Sequence, residues 1–250
     1  MRKYLMLTMA LGALIAVSVA GIANAGNKPV TVQQGNLQFT FNGGFSPSTL
    51  PKKKMAPITL TASGKIATLD GTHPPALKEA VIETDKNGTI NTKGIPVCKQ
   101  GQLQARDTNA AMKVCGKSLI GTGQTNVEVQ FPEQNPVKVN SKLLVLNGGT
   151  SGGKTTLFIH AYFSAPVTGA IVTTVKIKKV HNGRYGLKSV ATIPKIANGA
   201  GSVLDFNLTI NKKGVLMAKC PDGKLQAHAT SIFADGTTAS AAIIRTCKGK

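Results

Sequence analysis

Short runs of strand-forming residues recur along this 250-residue chain, and most of them end at a turn signal. A clear run lies at 155–163 (TTLFIHAYF), and Asn182-Gly183 and Asp235-Gly236 are typical turns. β-Branched and aromatic runs separated by Gly, Asn and Asp in this way are typical of antiparallel all-β proteins. We therefore predict about fifteen short strands packed as an antiparallel β-sandwich. A brief helix is predicted only over 109–114, while 76–83 (ALKEAVIE) fits a helical turn and a strand equally well.

Two blocks of sequence occur twice in the same order. Residues 85–94 (DKNGTINTKG) return as 205–214 (DFNLTINKKG), and 98–105 (CKQGQLQA) returns as 220–227 (CPDGKLQA). Ordered matches of this kind indicate an internal duplication. We predict that the fold consists of two degenerate β repeats, and that a Gly-rich connector joins them. The predicted boundaries are 26–147 for the first repeat, 148–154 for the connector and 155–250 for the second repeat.

The first 25 residues have the features of a secretory signal peptide. Arg2 and Lys3 precede an apolar run at 5–19, and Ala23-Asn24-Ala25 is a cleavage site of small residues. An uncleaved membrane anchor is the alternative, but the apolar run is shorter than the ~20 residues that a membrane span needs. We predict that residues 1–25 are a signal peptide and that the protein is secreted, either extracellular or associated with the cell wall.

Four cysteines follow this leader, and an even number in an exported chain favours disulfides. Their order suggests the pairs Cys98–Cys115 and Cys220–Cys247, one in each repeat, although two other connectivities remain open. Each bridge would stabilise the fold by about 3 kcal/mol in the chain-entropy model.

Basic residues outnumber acidic residues by 30 to 10, which gives a formal net charge of +20. This charge attracts polyanions, and the partners that we expect outside the cytoplasm are an anionic cell-wall polymer or a membrane surface. A solvated basic surface without a ligand is the alternative. The candidate contact residues are Lys52, Lys53, Lys54, Lys176, Lys178, Lys179 and Arg184. Nucleic acid is disfavoured, since the chain has no Trp and no aromatic residues alternate with the lysines as stacking platforms. The sequence identifies no protein partner.

Several patterns that carry chemistry in other proteins are matched here only formally. Residues 148–155 (GGTSGGKT) fit the phosphate-binding loop pattern, but they precede a strand-like run where that loop needs a helix. The four histidines are scattered and lack the spacing of a zinc site. With only ten acidic residues, paired catalytic carboxylates are not expected. We therefore predict no catalytic, cofactor-binding or metal-binding residues.

Five short motifs are spread over most of the chain after the leader. They are Asp70-Gly71, Gly94-Ile95-Pro96-Val97-Cys98, Ile193-Pro194-Lys195, Cys220-Pro221-Asp222-Gly223 and Asp235-Gly236-Thr237. Together they resemble the motifs of a group of exported all-β proteins of high-GC Gram-positive bacteria for which no activity is known. The resemblance implies export and a β fold, and it implies no catalytic residues.

The sequence thus favours a non-enzymatic binding or structural protein, secreted or in the cell envelope, whose ligand it does not identify. Two alternatives stay open. An electrostatic binder of anionic cell-wall polymer or lipid would lose affinity steeply as salt is added. A hydrolase acting on an extracellular polymer would need a cluster of carboxylates or histidines in a cleft.

Overall fold

The computed structural model describes residues 28–250, together with the backbone of Gly21–Ile22. The predicted signal peptide therefore lies almost entirely outside the described residues. The strands are β1 (Gly21–Ile22), β2 (Val30–Gln34), β3 (Leu37–Ser46), β4 (Thr49–Leu50), β5 (Ala56–Pro57), β6 (Thr59–Thr68), β7 (Leu77–Asp85), β8 (Gly88–Ile90), β9 (Leu119–Val129), β10 (Val137–Ser151), β11 (Lys154–Phe163), β12 (Gly169–Asn182), β13 (Tyr185–Thr192), β14 (Gly201–Ile210), β15 (Leu216–Ala218), β16 (Lys224–Phe233), β17 (Thr238–Thr246) and β18 (Lys248–Gly249). The helices are α1 (Thr108–Cys115) and three 3-10 turns, Gln100–Gln102, Gly116–Ser118 and Ala197–Gly199.

Thirteen of these strands form one sheet whose two ends nearly meet. Their order is β1-β17-β16-β7-β13-β12-β11-β10-β9-β14-β6-β3-β2, and only β1 pairs in parallel. At the seam, Val30 and Val32 of β2 share a buried cluster with Ala241 and Ile243 of β17. Arg245 of β17 crosses the same seam and donates hydrogen bonds to backbone carbonyls before β2 and within β3. The curved sheet therefore encloses most of the hydrophobic interior.

The all-β prediction is confirmed, but the sandwich of two repeats is not. β7, from the first predicted half, pairs with β13 and β16 from the second, and β14 pairs with β6 and β9. The two halves therefore share one sheet. The duplicated blocks also differ in structure, because 98–105 contains a 3-10 helix whereas 220–227 runs into β16. The predicted connector 148–154 forms the end of the β10–β11 hairpin.

Strand β10 is buried on both faces, as its continuous apolar run requires. Val145 faces the interior and packs with Ile120 and Leu157. Leu144 and Leu146 face outwards and are covered by the segment that contains α1. Asp107 caps this helix by accepting a hydrogen bond from the Ala110 backbone N–H at 2.8 Å. The helix predicted at 109–114 is thus confirmed, and the ambiguous segment 76–83 is largely strand β7.

Both predicted disulfides are confirmed. Cys98 pairs with Cys115 and Cys220 with Cys247, at Cα–Cα distances of 5.5 and 6.1 Å. The first bridge holds α1 against the outer face of β10, and the second lies in a small cluster with Leu50 and Leu225. Two disulfides are typical of a protein outside the cytoplasm. In the described part of the chain, no helix has the length and apolar character to cross a membrane.

Two small sheets complete the fold. β5, β15 and β8 form a three-stranded sheet, and β4 pairs with β18 near the C-terminus. Ile90 of β8 and Leu216 of β15 pack against Ile177 of β12 and Leu187 of β13. The three-stranded sheet therefore lies against one end of the main sheet, and two neighbouring empty spaces lie there.

Candidate functional site

An apolar cavity lies inside the curved sheet at the end next to the three-stranded sheet. Its volume is about 170 Å³, and its walls come from β3, β6, β7, β13, β16 and β17, with β8 and β15 at the end. Most of the large side chains of the lining are apolar. They are Phe41, Phe45, Ile58, Leu60, Ile82, Leu187, Leu216, Met217, Leu225 and Ile243. This space is hereafter the apolar cavity.

Small residues on the wall keep the apolar cavity open. Gly43 and Gly44 of β3 and Ala62 of β6 lie on the lining. A Cβ added at Gly43 would lie 3.5 Å from the Thr61 carbonyl oxygen, which is an ordinary contact. The backbone there does not need glycine for a close approach. Leu187 and Ile82, which line the same space, are only partly buried.

The polar groups on this lining are engaged in contacts that fix the wall. The Asp85 carboxylate accepts hydrogen bonds from Arg184 Nε at 2.6 Å and from the Gln226 backbone N–H at 3.1 Å. Arg245 donates to the Gly43 carbonyl and to Asn42 Oδ1. Burial lowers the pKa of the Arg245 guanidinium from its usual value. Both residues join neighbouring segments around the cavity.

A larger cleft with a polar lining adjoins the apolar cavity. Its volume is about 520 Å³, and it is formed by residues 89–97, the β10–β11 hairpin and the end of β12. Lys93, Lys178 and Lys179 line it, and the lining contains no Asp or Glu. Thr89 and Leu187 line both spaces, so the two are neighbours. This space is hereafter the polar cleft.

Hydrogen bonds hold the sides of the polar cleft together. Thr150 Oγ1 lies 3.3 Å from Thr92 Oγ1 and 3.0 Å from Thr155 Oγ1. The buried Asn147 side chain donates from Nδ2 to the Ile95 carbonyl at 3.0 Å. These contacts fasten segment 91–97 to the hairpin, so the cleft is preformed. Ammonium and hydroxyl groups are donors suited to an anionic group.

Further lysines lie on the outer face of the strands beside the cleft, because alternation along β12 directs the Lys178 side chain away from Ile177 and Lys179. Lys154, Lys178 and Lys188 lie directly opposite one another on β11, β12 and β13. Like charges in opposite positions destabilise a sheet. Glu83 of β7 lies opposite Lys188 and offsets part of this repulsion. A bound anion would offset more of it. Lys93, Lys154, Lys178, Lys179 and Lys188 are hereafter the basic patch.

The predicted contact lysines fall into two groups. Lys178 and Lys179 line the polar cleft, whereas Lys176 on the same strand does not. The run 52–54 forms an exposed bend after β4, and the Lys52 backbone N–H bonds to the carbonyl of Lys250. Sequence reasoning missed three members of the basic patch, Lys93, Lys154 and Lys188. The turn at Asn182-Gly183 was the available signal, because a hairpin centred there brings Lys178 close to Lys188.

Arg184, also a predicted contact residue, holds the structure together instead of presenting a free charge. Its guanidinium pairs with Asp85 and Asp222 and donates to the Lys224 carbonyl at 2.7 Å. The hydrogen bond to Asp222 raises the pKa of Arg184, and the same contact lowers the pKa of Asp222. Arg184 therefore ties the β12–β13 turn to β7 and to the start of β16.

One side-chain network has the connectivity of a Ser–His–Glu triad. Ser202 Oγ lies 3.0 Å from His73 Nε2, and His73 Nδ1 lies 2.9 Å from Glu128 Oε1. Ser202 and Glu128 are opposite each other on β14 and β9. Sequence reasoning missed this network, since the three residues are far apart in the chain.

The surroundings of this network do not suit a nucleophile. Ser202 is only 1% exposed, and its hydroxyl donates to the Pro74 carbonyl at 2.6 Å. Neither Ser202, His73 nor Glu128 lines the apolar cavity or the polar cleft. A catalytic serine must reach its substrate. The network instead fastens the His73–Pro74 loop to the outer face of the sheet.

Within residues 28–250, no three His, Cys, Asp or Glu side chains are grouped in a way that could hold a metal ion. No protein-family model matches this chain, and comparison with curated proteins finds no match either. The chemistry of the polar cleft and the apolar cavity is therefore what indicates function.

Proposed function

We propose that this is a secreted, non-enzymatic binding protein that holds the anionic part of its ligand in the polar cleft. The observation that carries this proposal is a preformed cleft of about 520 Å³ lined by three lysines and by no carboxylate. The expected ligands are those that the charge suggests, an anionic cell-wall polymer or an anionic lipid. No cofactor is part of the proposal.

Several features support binding at this place over a diffuse attraction to the whole surface. Lys93, Lys178 and Lys179 all border one concave space. The cleft is held in shape by Asn147 and by the hydroxyl contacts of Thr150. Preorganised donors lose less entropy on binding than flexible surface lysines do. The disulfides and the predicted signal peptide support secretion.

The test compares two variants with equal loss of charge. In one, Lys93, Lys178 and Lys179 are changed to Gln; in the control, Lys52, Lys53 and Lys54 are changed to Gln. Residues 26–250 are titrated with cell-wall preparations, anionic vesicles and inorganic pyrophosphate at low and physiological salt. We expect binding at physiological salt to be lost in the first variant and retained in the control. Equal losses in the two variants would mean that net charge alone attracts anions.

A hydrolase is the second candidate function, because Ser202, His73 and Glu128 have the distances of a catalytic triad. Burial of Ser202 weighs against it. A fluorophosphonate probe that reacts with activated serines tests this directly. We expect no labelling of the native protein. Labelling that disappears in Ser202→Ala would establish an accessible nucleophile and overturn the non-enzymatic proposal.

A further inference from the structure

We infer that the ligand is an anionic amphiphile whose charged head lies in the polar cleft and whose alkyl chain occupies the apolar cavity. This inference rests on the proposed function and names the ligand class for the same site. It depends on two spaces of opposite character that share a wall, Thr89 and Leu187.

The polar cleft itself has an apolar side. Ile90, Ile95 and Ile177 line it together with the lysines, and all three belong to the hydrophobic cluster that contains Leu187. A purely polar polyanion would leave this surface without an apolar contact. If Lys179 holds the charged head group, the attached alkyl chain would cover this apolar surface. The chain would then pass Leu187, which lines both spaces, and enter the apolar cavity. From the polar cleft to the apolar cavity the surface is first basic and then apolar. The charged head and the alkyl chain of an amphiphile follow each other in the same order.

The apolar cavity sets the length of the chain. An apolar cavity of about 150 Å³ can stay dry and take up a molecule of the size of benzene. The space here is about 170 Å³, so it holds roughly six to eight carbon atoms on that scale. Each methylene transferred from water into such a space tightens binding about fourfold. Affinity should therefore rise with chain length and then level off once the cavity is full.

A homologous series tests the inference. Residues 26–250 are titrated by calorimetry with acetate, butanoate, hexanoate, octanoate and decanoate, and with octyl phosphate and octanol. We expect octanoate to bind at least a hundredfold more tightly than acetate, and decanoate to add little. Octanol, which has the chain but no charge, should bind at least tenfold more weakly than octanoate. Comparison of octanoate with octyl phosphate identifies the preferred head group.

Variants assign the two halves of the ligand to the two spaces. Ala62→Leu fills the apolar cavity, and Gly43→Val, whose position lies opposite Ala62 on β3, fills it in case the first variant folds poorly. Either change should weaken octanoate at least tenfold and leave acetate unchanged. Lys179→Gln should weaken octanoate and leave octanol unchanged. The matched control is Lys176→Gln on the same strand but outside the polar cleft, and it should alter neither.

The outcomes separate this inference from the proposed function. Octanoate that binds no more tightly than acetate would overturn the inference, while binding of both by the cleft lysines would leave the proposed function intact. Octanol that binds as tightly as octanoate would overturn both, because the charged head would then contribute nothing. Octanoate binding that Ala62→Leu and Gly43→Val both leave unchanged, with each variant folded, would place the chain elsewhere and overturn the inference.

Discussion

The wall formed by β9, β10 and β11 and the end that contains the apolar cavity are both made of antiparallel strands, but they are packed differently. In the wall, α1 and the Cys98–Cys115 bridge cover the outer face of β10, so Leu144 and Leu146 are fully buried. At the cavity end, Ile82 and Leu187 border empty space and are only partly buried. Tight packing on both faces supplies stability, and the space for a ligand lies where packing is incomplete.

The largest expected effect comes from removing one leucine side chain from each region. Leu146→Ala in the wall should lower the free energy of unfolding by about 2–5 kcal/mol, because it leaves a new cavity. Leu187→Ala should lower it by less than about 1.5 kcal/mol, since this side chain already borders a cavity. Urea unfolding of residues 26–250 measures both. Equal losses of unfolding free energy in the two variants would show that the apolar cavity collapses in solution. The wall and the cavity end would then not differ in packing.

The cavity end contains an ion pair between Arg184 and the buried Asp85 carboxylate. Arg184→Met leaves the buried carboxylate of Asp85 without its charged partner, and it should cost about 3 kcal/mol. Asp222→Asn is the control, because Asp222 is 42% exposed and its pair with Arg184 should contribute less than about 1 kcal/mol. The free energy of unfolding checks both values. A larger loss in Asp222→Asn than in Arg184→Met would contradict the role given to Asp85.

The reverse experiment adds volume to each region. Ala111→Leu in α1 enlarges a side chain that is 0% exposed, and overpacking there should cost about 1–3 kcal/mol. Ala62→Leu extends into the apolar cavity and should leave stability unchanged or raise it by up to about 1 kcal/mol. Thermal unfolding of the two variants gives the comparison. Destabilisation of Ala62→Leu as large as that of Ala111→Leu would mean that the space is not free.

The smallest expected effect is a pH dependence that arises in the wall. His160 is fully buried, and its Nε2 lies 2.9 Å from the Arg106 carbonyl. Burial lowers the pKa of His160 below 6.5, so the unfolded chain binds a proton at a pH where the folded chain does not. Stability should therefore fall as the pH decreases through 6.5 and remain constant above it.

His160→Gln should flatten this part of the profile, measured as the urea midpoint between pH 7.5 and 5. The control is His181→Gln, which alters an exposed residue of β12 and should keep the slope of the native protein. A slope that survives in His160→Gln would assign the dependence to another group.

The features that sequence predicted correctly are local. The helix before Cys115 follows from a capping residue and a short non-β segment, and the disulfide pairs follow from the order of the cysteines. The turn at Asn182-Gly183 likewise joins β12 to β13 as predicted. For the helix and the turn the signal lies within a few residues of the structure, and the disulfides join cysteines only 17 and 27 residues apart.

Glycine was the least reliable signal. Residues 42–44 (NGG) have the composition of a turn, and glycine is atypical inside a strand at position 64, but both segments continue as β3 and β6. At Gly64 a Cβ would overlap the ring of Phe206 on the neighbouring strand. At Gly43 the missing side chain leaves room for the apolar cavity. Both roles depend on distant parts of the chain, so the local pattern cannot distinguish them from turns.

Nor could the candidate site be assembled from sequence. Lys178 and Lys179 were identified from their charge, but the polar cleft also needs the hairpin around Thr150 and the segment around Lys93. Strand alternation shows which face of a strand is buried, and it does not show which strand lies beside it. The pairing of β7 with β13 and β16 therefore had no sequence signal, and neither did the closure of the sheet.

This strand order also governs how the chain can acquire its structure. Strand β7, complete by residue 85, pairs with β13 and β16, and β6 pairs on one side with β14; these later strands end at residue 233. A polypeptide that emerges from the ribosome or a translocon with its N-terminus first must therefore wait for almost its full length before these ladders can form. Until then its apolar strands stay exposed and can aggregate. We therefore expect the molecule to unfold as one cooperative unit, and a fragment cut between its halves should not fold on either side of the cut.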